Sequence, residues 1–376
     1  MRKIISFILA VLIAVSMVAC GQGAPAENKN IEIIRNRQPL KAEKLDIPLE
    51  IQGYKNVYLT DFDGQYAVFE IERERLIGKD RYAKECARIV VYDIVNKRTV
   101  HFTNLDYPYG RVGGAVKDGD RLYYTVYYTA DLKEELYVND GLETRKLGEF
   151  VINSSSDFSR LERVDDAIIL TYNNGTFDNY NYRFDVLKDE KLEKAGEFKQ
   201  KNPGFAEIEG YKDEKIIIRE TEINDDGYIY FNRWTEESKE TVFKLADEHS
   251  HSCVQIDNMF IHPVDNPDND GRYKMMAVTD IEDGNTTETG MVQGGFFGNR
   301  GNKAIMYQYG KSEEAVMMYE AGENTLTITP VEIDVTGKNS HSYFMTENNA
   351  LLKISTLNVV DTGWIESGME LYIIEY

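Results

Sequence analysis

An apolar strand preceded by a turn of Asp, Asn or Gly keeps returning along this chain. It appears at Asp63–Phe69, Asp118–Tyr124, Asp165–Leu170, Asp213–Ile218, Asp257–Ile261, Asn302–Met306 and Asn348–Leu352. Taking Gln65, Arg121, Asp166, Lys215, Asn258, Lys303 and Asn349 as equivalent, the steps are 56, 45, 49, 43, 45 and 46 residues. The long first step contains a charged insert, Glu72 to Glu85. A further strand follows each apolar one, as at Ile89–Tyr92, Leu136–Val138 and Leu371–Ile374. A weaker, more polar strand often comes next, as at Thr99–Thr103 and Thr325–Val331. The strands are rich in β-branched and aromatic residues, which suit a pleated surface, and turn residues separate them. Helical periodicity is nearly absent beyond the first residues of the chain.

Repeats of roughly 40–50 residues with about four strands each predict an all-β fold, a β-propeller of seven blades. A pair of β-sandwiches and an open β-solenoid are the competing arrangements. The seventh repeat ends right after Leu371–Ile374 and lacks an outer strand, while 31–51 is surplus at the start. One of its two strand-like runs, Ile31–Ile34 or Leu45–Ile51, is therefore expected to close the last blade and hide an open edge. Residues 31–376 then form one domain.

The N-terminus carries a different signal. Arg2 and Lys3 precede Ile4–Val18, an uncharged apolar run broken only by Ser6 and Ser16. This is the layout of a cleavable export signal over residues 1–19. Met17-Val18-Ala19-Cys20 resembles the lipobox of bacterial lipoproteins. The resemblance implies cleavage before Cys20, diacylglycerol on its thiol and a fatty acid such as palmitate on the new amino terminus. A single acyl chain gives only marginal membrane binding, so two signals suit a stable anchor. The small, polar residues 21–30 read as a tether. The expected location is extracytoplasmic, on a cell membrane or outer membrane; Gly21 shows no retention signal that would choose between them.

After removal of residues 1–19 the chain holds 41 basic and 64 acidic residues, a formal charge of −23. Such a balance excludes nucleic acid, whose phosphates need cations, and disfavours docking on anionic lipid. Cys86 and Cys253 remain; two cysteines make no disulfide framework, and free, buried thiols are expected. No cofactor is implied. Asp118-Gly119-Asp120-Arg121-Leu122-Tyr123-Tyr124 resembles the repeat texture of TolB-like propeller proteins, a texture found in proteins of many functions.

In a propeller, the segments leading into the inner strands and those joining second to third strands share one face, where ligands usually sit. The leading segments hold Tyr109, Arg111, His249, His251, Phe297 and His341, with a Ser-His-Ser core around both His251 and His341. The joining segments hold Arg81, Tyr82, Tyr128, Tyr180, Tyr228, Tyr230, Trp234 and Trp364. Aromatic side chains there can stack on sugars or grip a peptide. His249, His251 and Cys253 alternate, so on a strand they would share a face and offer zinc or copper ligands; the bland reading is a buried thiol beside polar loop histidines. The Asn266–Gly271 stretch lacks the distal Glu of a calcium loop, since Ala277 stands there.

Two functions fit. One is a monomeric, non-catalytic binding or scaffold module of the cell envelope, with a glycan or protein ligand. The other is a propeller hydrolase or lyase acting on an envelope glycan, which needs two carboxylates at working separation. No Gly-x-Ser-x-Gly, His-Glu-x-x-His or Walker-type stretch is present, which favours the binder.

Overall fold

The computed structural model describes residues 30–47, 54–76, 82–105, 110–128, 133–151, 159–173, 180–200, 204–223, 226–235, 238–246, 253–265, 274–292, 294–308, 315–360 and 363–376. These residues contain strands and no helix. They form a seven-bladed β-propeller. Blades one to six span 54–104, 110–151, 160–200, 204–246, 254–292 and 294–332, each an antiparallel four-stranded meander. Blade seven takes three strands from 340–375 and its fourth from the N-terminus.

Two N-terminal strands make the closure. β1 (Glu32–Arg35) adds in parallel to the outer strand of blade six, Thr325–Glu332. β2 (Leu40–Leu45) is the outer strand of blade seven, antiparallel to Gly363–Glu375, with Ala42 opposite Ile374 and Leu45 opposite Leu371. The start of β2 also pairs with the end of blade six, Leu40 beside Val331, so blades six and seven share one continuous sheet. Closure by an N-terminal strand is thus as expected, but the strand is Leu40–Leu45, ahead of the run Leu45–Ile51. The run Ile31–Ile34 does other work: Ile31 is buried among Met259, Ile261, Tyr319 and Leu326 between blades five and six.

The apolar strand of each repeat proves to be the second of its blade. Arg121–Tyr128 is buried at six consecutive positions because a neighbouring blade covers each of its faces. The turn before it is a tight hairpin back from the inner strand. Such hairpins need positive φ, and Gly64, Gly119, Asp165, Asp213, Glu214, Asp257 and Gly301 all have it. Inner strands are richer in glycine and polar residues. An added Cβ at Gly114 would lie 2.3 Å from the Leu161 carbonyl, so a side chain there would push the inner strands of blades two and three apart. Consecutive inner strands touch from blade five through six, seven, one, two and three to four.

Apolar clusters fill the interfaces between blades. Val68, Ile89, Leu122 and Tyr124 join blades one and two. Leu136, Val138, Leu161 and Leu170 join two and three. Phe231, Phe243 and Phe260 stack between four and five, Phe243 and Phe260 with centroids 4.1 Å apart. Against conformational entropy, this stacking of faces is what each blade lacks alone.

Candidate functional site

The hairpins from second to third strand, with the segments leading into the inner strands, define one end of the ring; the tight hairpins define the other. Tyr109, His249 and His251 lie outside the described residues, as does Cys20. Arg111, Phe297 and Trp364 lie on strands Gly110–Asp118, Gly294–Arg300 and Gly363–Glu375, with their side chains outside what is described. The side chain of Cys86 is outside it too.

His341 and Trp234 are described, and neither lines the channel mouth. His341 sits on the inner strand Ser340–Met345 and packs on Tyr307 of blade six, ring centroids 4.5 Å apart. Its strand register turns the imidazole toward the blade interface. Trp234, expected on a joining segment, instead ends the third strand of blade four, at the opposite end of the ring. Its indole packs edge-on against Phe198 of blade three at 5.0 Å, and Nε1 donates to Glu220 Oε2 at 2.6 Å. Lys239 lies over the ring. Trp234 lines a half-open cleft of about 430 Å³ between blades three and four, with Phe198, Ile216 and Ile218. The strand is simply longer than the sequence suggests, so the tryptophan is carried to its far end.

Cys253 is a thiol rather than half of a disulfide. Burial pushes it up to about 12, so it is protonated at neutral pH and poorly suited to a metal. Among the described residues no three His, Cys, Asp or Glu side chains group as metal ligands.

Blade four does present aromatic rings at the hairpin end. Tyr228 begins the third strand and is 40% exposed. Lys244 Nζ stands 3.8 Å from its ring centroid and 4.9 Å from that of Tyr230. The Tyr230 hydroxyl donates to Asp226 Oδ2 at 2.6 Å, and Lys244 is 3.6 Å from the same oxygen. The hydrogen bond from Tyr230 holds the Asp226 carboxyl low. Blade two repeats the theme weakly, Lys133 lying 5.9 Å from the Tyr128 ring.

Beneath this end lie buried carboxylates that sequence reasoning does not single out. Glu134, fully buried, accepts from the Ser159 hydroxyl and backbone N–H of the next blade. Burial raises its pKa more than those bonds lower it. Glu366 accepts from Lys353, from Ser355 and from the Val57 N–H of blade one at 2.9 Å. Its own N–H donates to Asn56 Oδ1, and Asn56 in turn donates to Glu72. Burial lowers the pKa of Lys353 despite its partner. Both acids sit on third strands and reach the backbone of the following inner strand. Their role is to join blades. The sequence signal for them is only an acid early in a third strand, which a chain this acidic hides.

Around the tight-hairpin end, charged side chains cross the axis. Asp61 of blade one accepts from the Lys117 N–H of blade two and lies 3.8 Å from Arg163 of blade three. Burial is the main cause that pushes Asp61 up to about 7. Asp165 of blade three accepts from the Tyr211 N–H of blade four and lies 3.4 Å from Arg300 of blade six, across the ring.

No protein-family model and no curated protein sequence matches the chain. Solved structures do. The polysaccharide lyase Uly1 superposes with a TM-score of 0.52 at 9% identity, over 94% of each chain. TolB from Acinetobacter baumannii gives 0.33 at 13% identity, over 83% of this chain and 80% of that one. Hsv2 from Kluyveromyces lactis gives 0.45 at 10%, over 84% and 98%. At such identities, the likeness to Uly1 is one of fold alone: the chain shares the propeller.

Proposed function

We propose that this protein is a lipid-anchored, extracytoplasmic propeller that binds a glycan or protein ligand of the cell envelope and does not transform it. The supporting observation is the cluster of Tyr228, Tyr230 and Lys244 at the hairpin end, with one ring 40% exposed. A ring backed by a cation is a stacking platform for a sugar face or an aromatic anchor for a peptide. The buried acids near that end, Glu134 and Glu366, are engaged in joining blades, which supports binding over acid–base chemistry. The anchoring half of the proposal rests on Met17–Cys20.

Two experiments test the halves separately. Cys20→Ala should move the protein from the membrane to the soluble fraction; retention in the membrane refutes the anchor. Immobilised protein should enrich a glycan or protein from envelope extracts, and Tyr228→Ala with Tyr230→Ala should cut that enrichment at least tenfold. Equal capture by the variant refutes the site. Release of new reducing ends from envelope glycan by the purified protein would establish the catalytic alternative instead.

A further inference from the structure

Where the chain leaves the fold has a direction. At the start of β1, Glu32 donates its N–H to the Asn324 carbonyl at 2.9 Å and pairs with Thr325. Asn324 lies in the turn between the third and outer strands of blade six, which belongs to the tight-hairpin end of the ring. The tether therefore starts from that end. Tyr228 begins a third strand and lies at the other.

The lengths decide what this means. The sequence places about ten residues between Cys20 and the fold, which reach about 35 Å fully stretched and about 18 Å in a relaxed coil. A strand running the depth of the ring, such as Lys215–Ile223 with 9 residues, is about 30 Å long. To lay the Tyr228 end on the bilayer, the tether would have to climb that depth nearly taut. Laying the tight-hairpin end toward the bilayer needs no stretching. That end also carries acidic turns, Asp165-Asp166, Asp189-Glu190 and Asp213-Glu214. They are repelled by anionic lipid, but only within a Debye length of about 8 Å, and a relaxed tether exceeds that gap.

We infer that the anchored protein stands with its tight-hairpin end toward the bilayer and its Tyr228 end facing away from it. This rests on the lipid-anchor reading. The partner surface of the lower end is then the bilayer itself, held at a short distance, and the Tyr228 platform addresses envelope material farther out.

The test uses full-length lipidated protein purified from membranes and reconstituted on phosphatidylcholine vesicles that carry a headgroup-linked acceptor dye. In a Cys86→Ser, Cys253→Ser background, a donor dye is placed at Glu323→Cys or at Tyr228→Cys. Energy transfer should be at least twofold greater from position 323. Equal transfer, or more from position 228, overturns the orientation. Flotation of the vesicles reports the anchor separately: protein left at the bottom of the gradient refutes the lipid attachment and the orientation with it, whereas flotation with reversed transfer refutes the orientation alone. Hydroxyl-radical footprinting of the unaltered protein on the same vesicles guards against misfolded variants. Protection should be greater at 323–324 than at 228–230, and the opposite ranking overturns the orientation.

Discussion

Removing the charge of Lys353 should cost this fold a large part of its stability. Lys353 is 5% exposed and its partner Glu366 is equally enclosed. In Lys353→Met the side-chain length is kept and the ammonium is lost. Glu366 keeps Ser355 and the Val57 N–H as donors but has no countercharge. Stranding one member of a buried ion pair costs about 3–5 kcal/mol, against a total stability of about 5–15 kcal/mol for a folded protein. Urea unfolding followed by intrinsic fluorescence at pH 7.5 should show the midpoint falling accordingly. Adding Glu366→Gln should recover most of the loss, because neither charge is then buried. The reasoning is refuted if Lys353→Met stays within about 1 kcal/mol of the parent at pH 7.5.

Other positions give sharper signs than sizes. Asp61 is held up to about 7 from an ordinary 3.8, so the folded state keeps its proton where the unfolded chain has lost it. Its contribution is therefore present below about pH 4 and is lost as pH rises to about 7, by up to about 4 kcal/mol; Asp61→Asn should flatten that decline in urea midpoints, and an unaltered slope counts against the assignment. Gly114→Ala drives a methyl into the Leu161 backbone and should lower stability by about 3 kcal/mol, the upper range for overpacking, read by thermal unfolding. Trp234→Ala opens the cleft between blades three and four and should cost about 2 kcal/mol, less than for a fully buried tryptophan, while leaving ligand capture intact; lost capture in a folded variant would move the site to that cleft.

The fold is legible because its signals are local. Asp165, Asp213 and Asp257 adopt positive φ in two-residue hairpins, as Gly64, Gly119 and Gly301 do in theirs, and that demand is what writes Asp and Gly into the turns of the first six repeats. The second strands read as apolar runs since both faces are covered, as at Arg121–Tyr128. The inner strands are harder to see: stretches such as Gly110–Asp118 carry glycines and charges because they line the channel and meet each other closely. Closure follows from a missing strand, but its register does not, since Leu40–Leu45 is mostly exposed or half-buried, only Leu45 being buried, and looks like linker. Side-chain destinations are the least legible. His341, expected in a segment leading into an inner strand, lies on that strand and packs on Tyr307; Trp234, expected on a joining segment, ends the third strand instead. Glu134 and Glu366 gain meaning only from the backbone of a neighbouring blade, a relation between residues far apart in the chain.

The parallel pairing of β1 with blade six has a mechanical side. Glu32 to Arg35 lie alongside Thr325 to Ile328, and the chain leaves from the Glu32 end. A pull on the N-terminal segment therefore acts along the axis of the strand. The pairings of the four residues must shear together rather than unzip in succession, and Ile31 must leave its apolar seat at the same moment. A drag on the domain is thus borne first by a short clamp at its rim, and the closing strand β2 behind it stays unloaded until that clamp gives way.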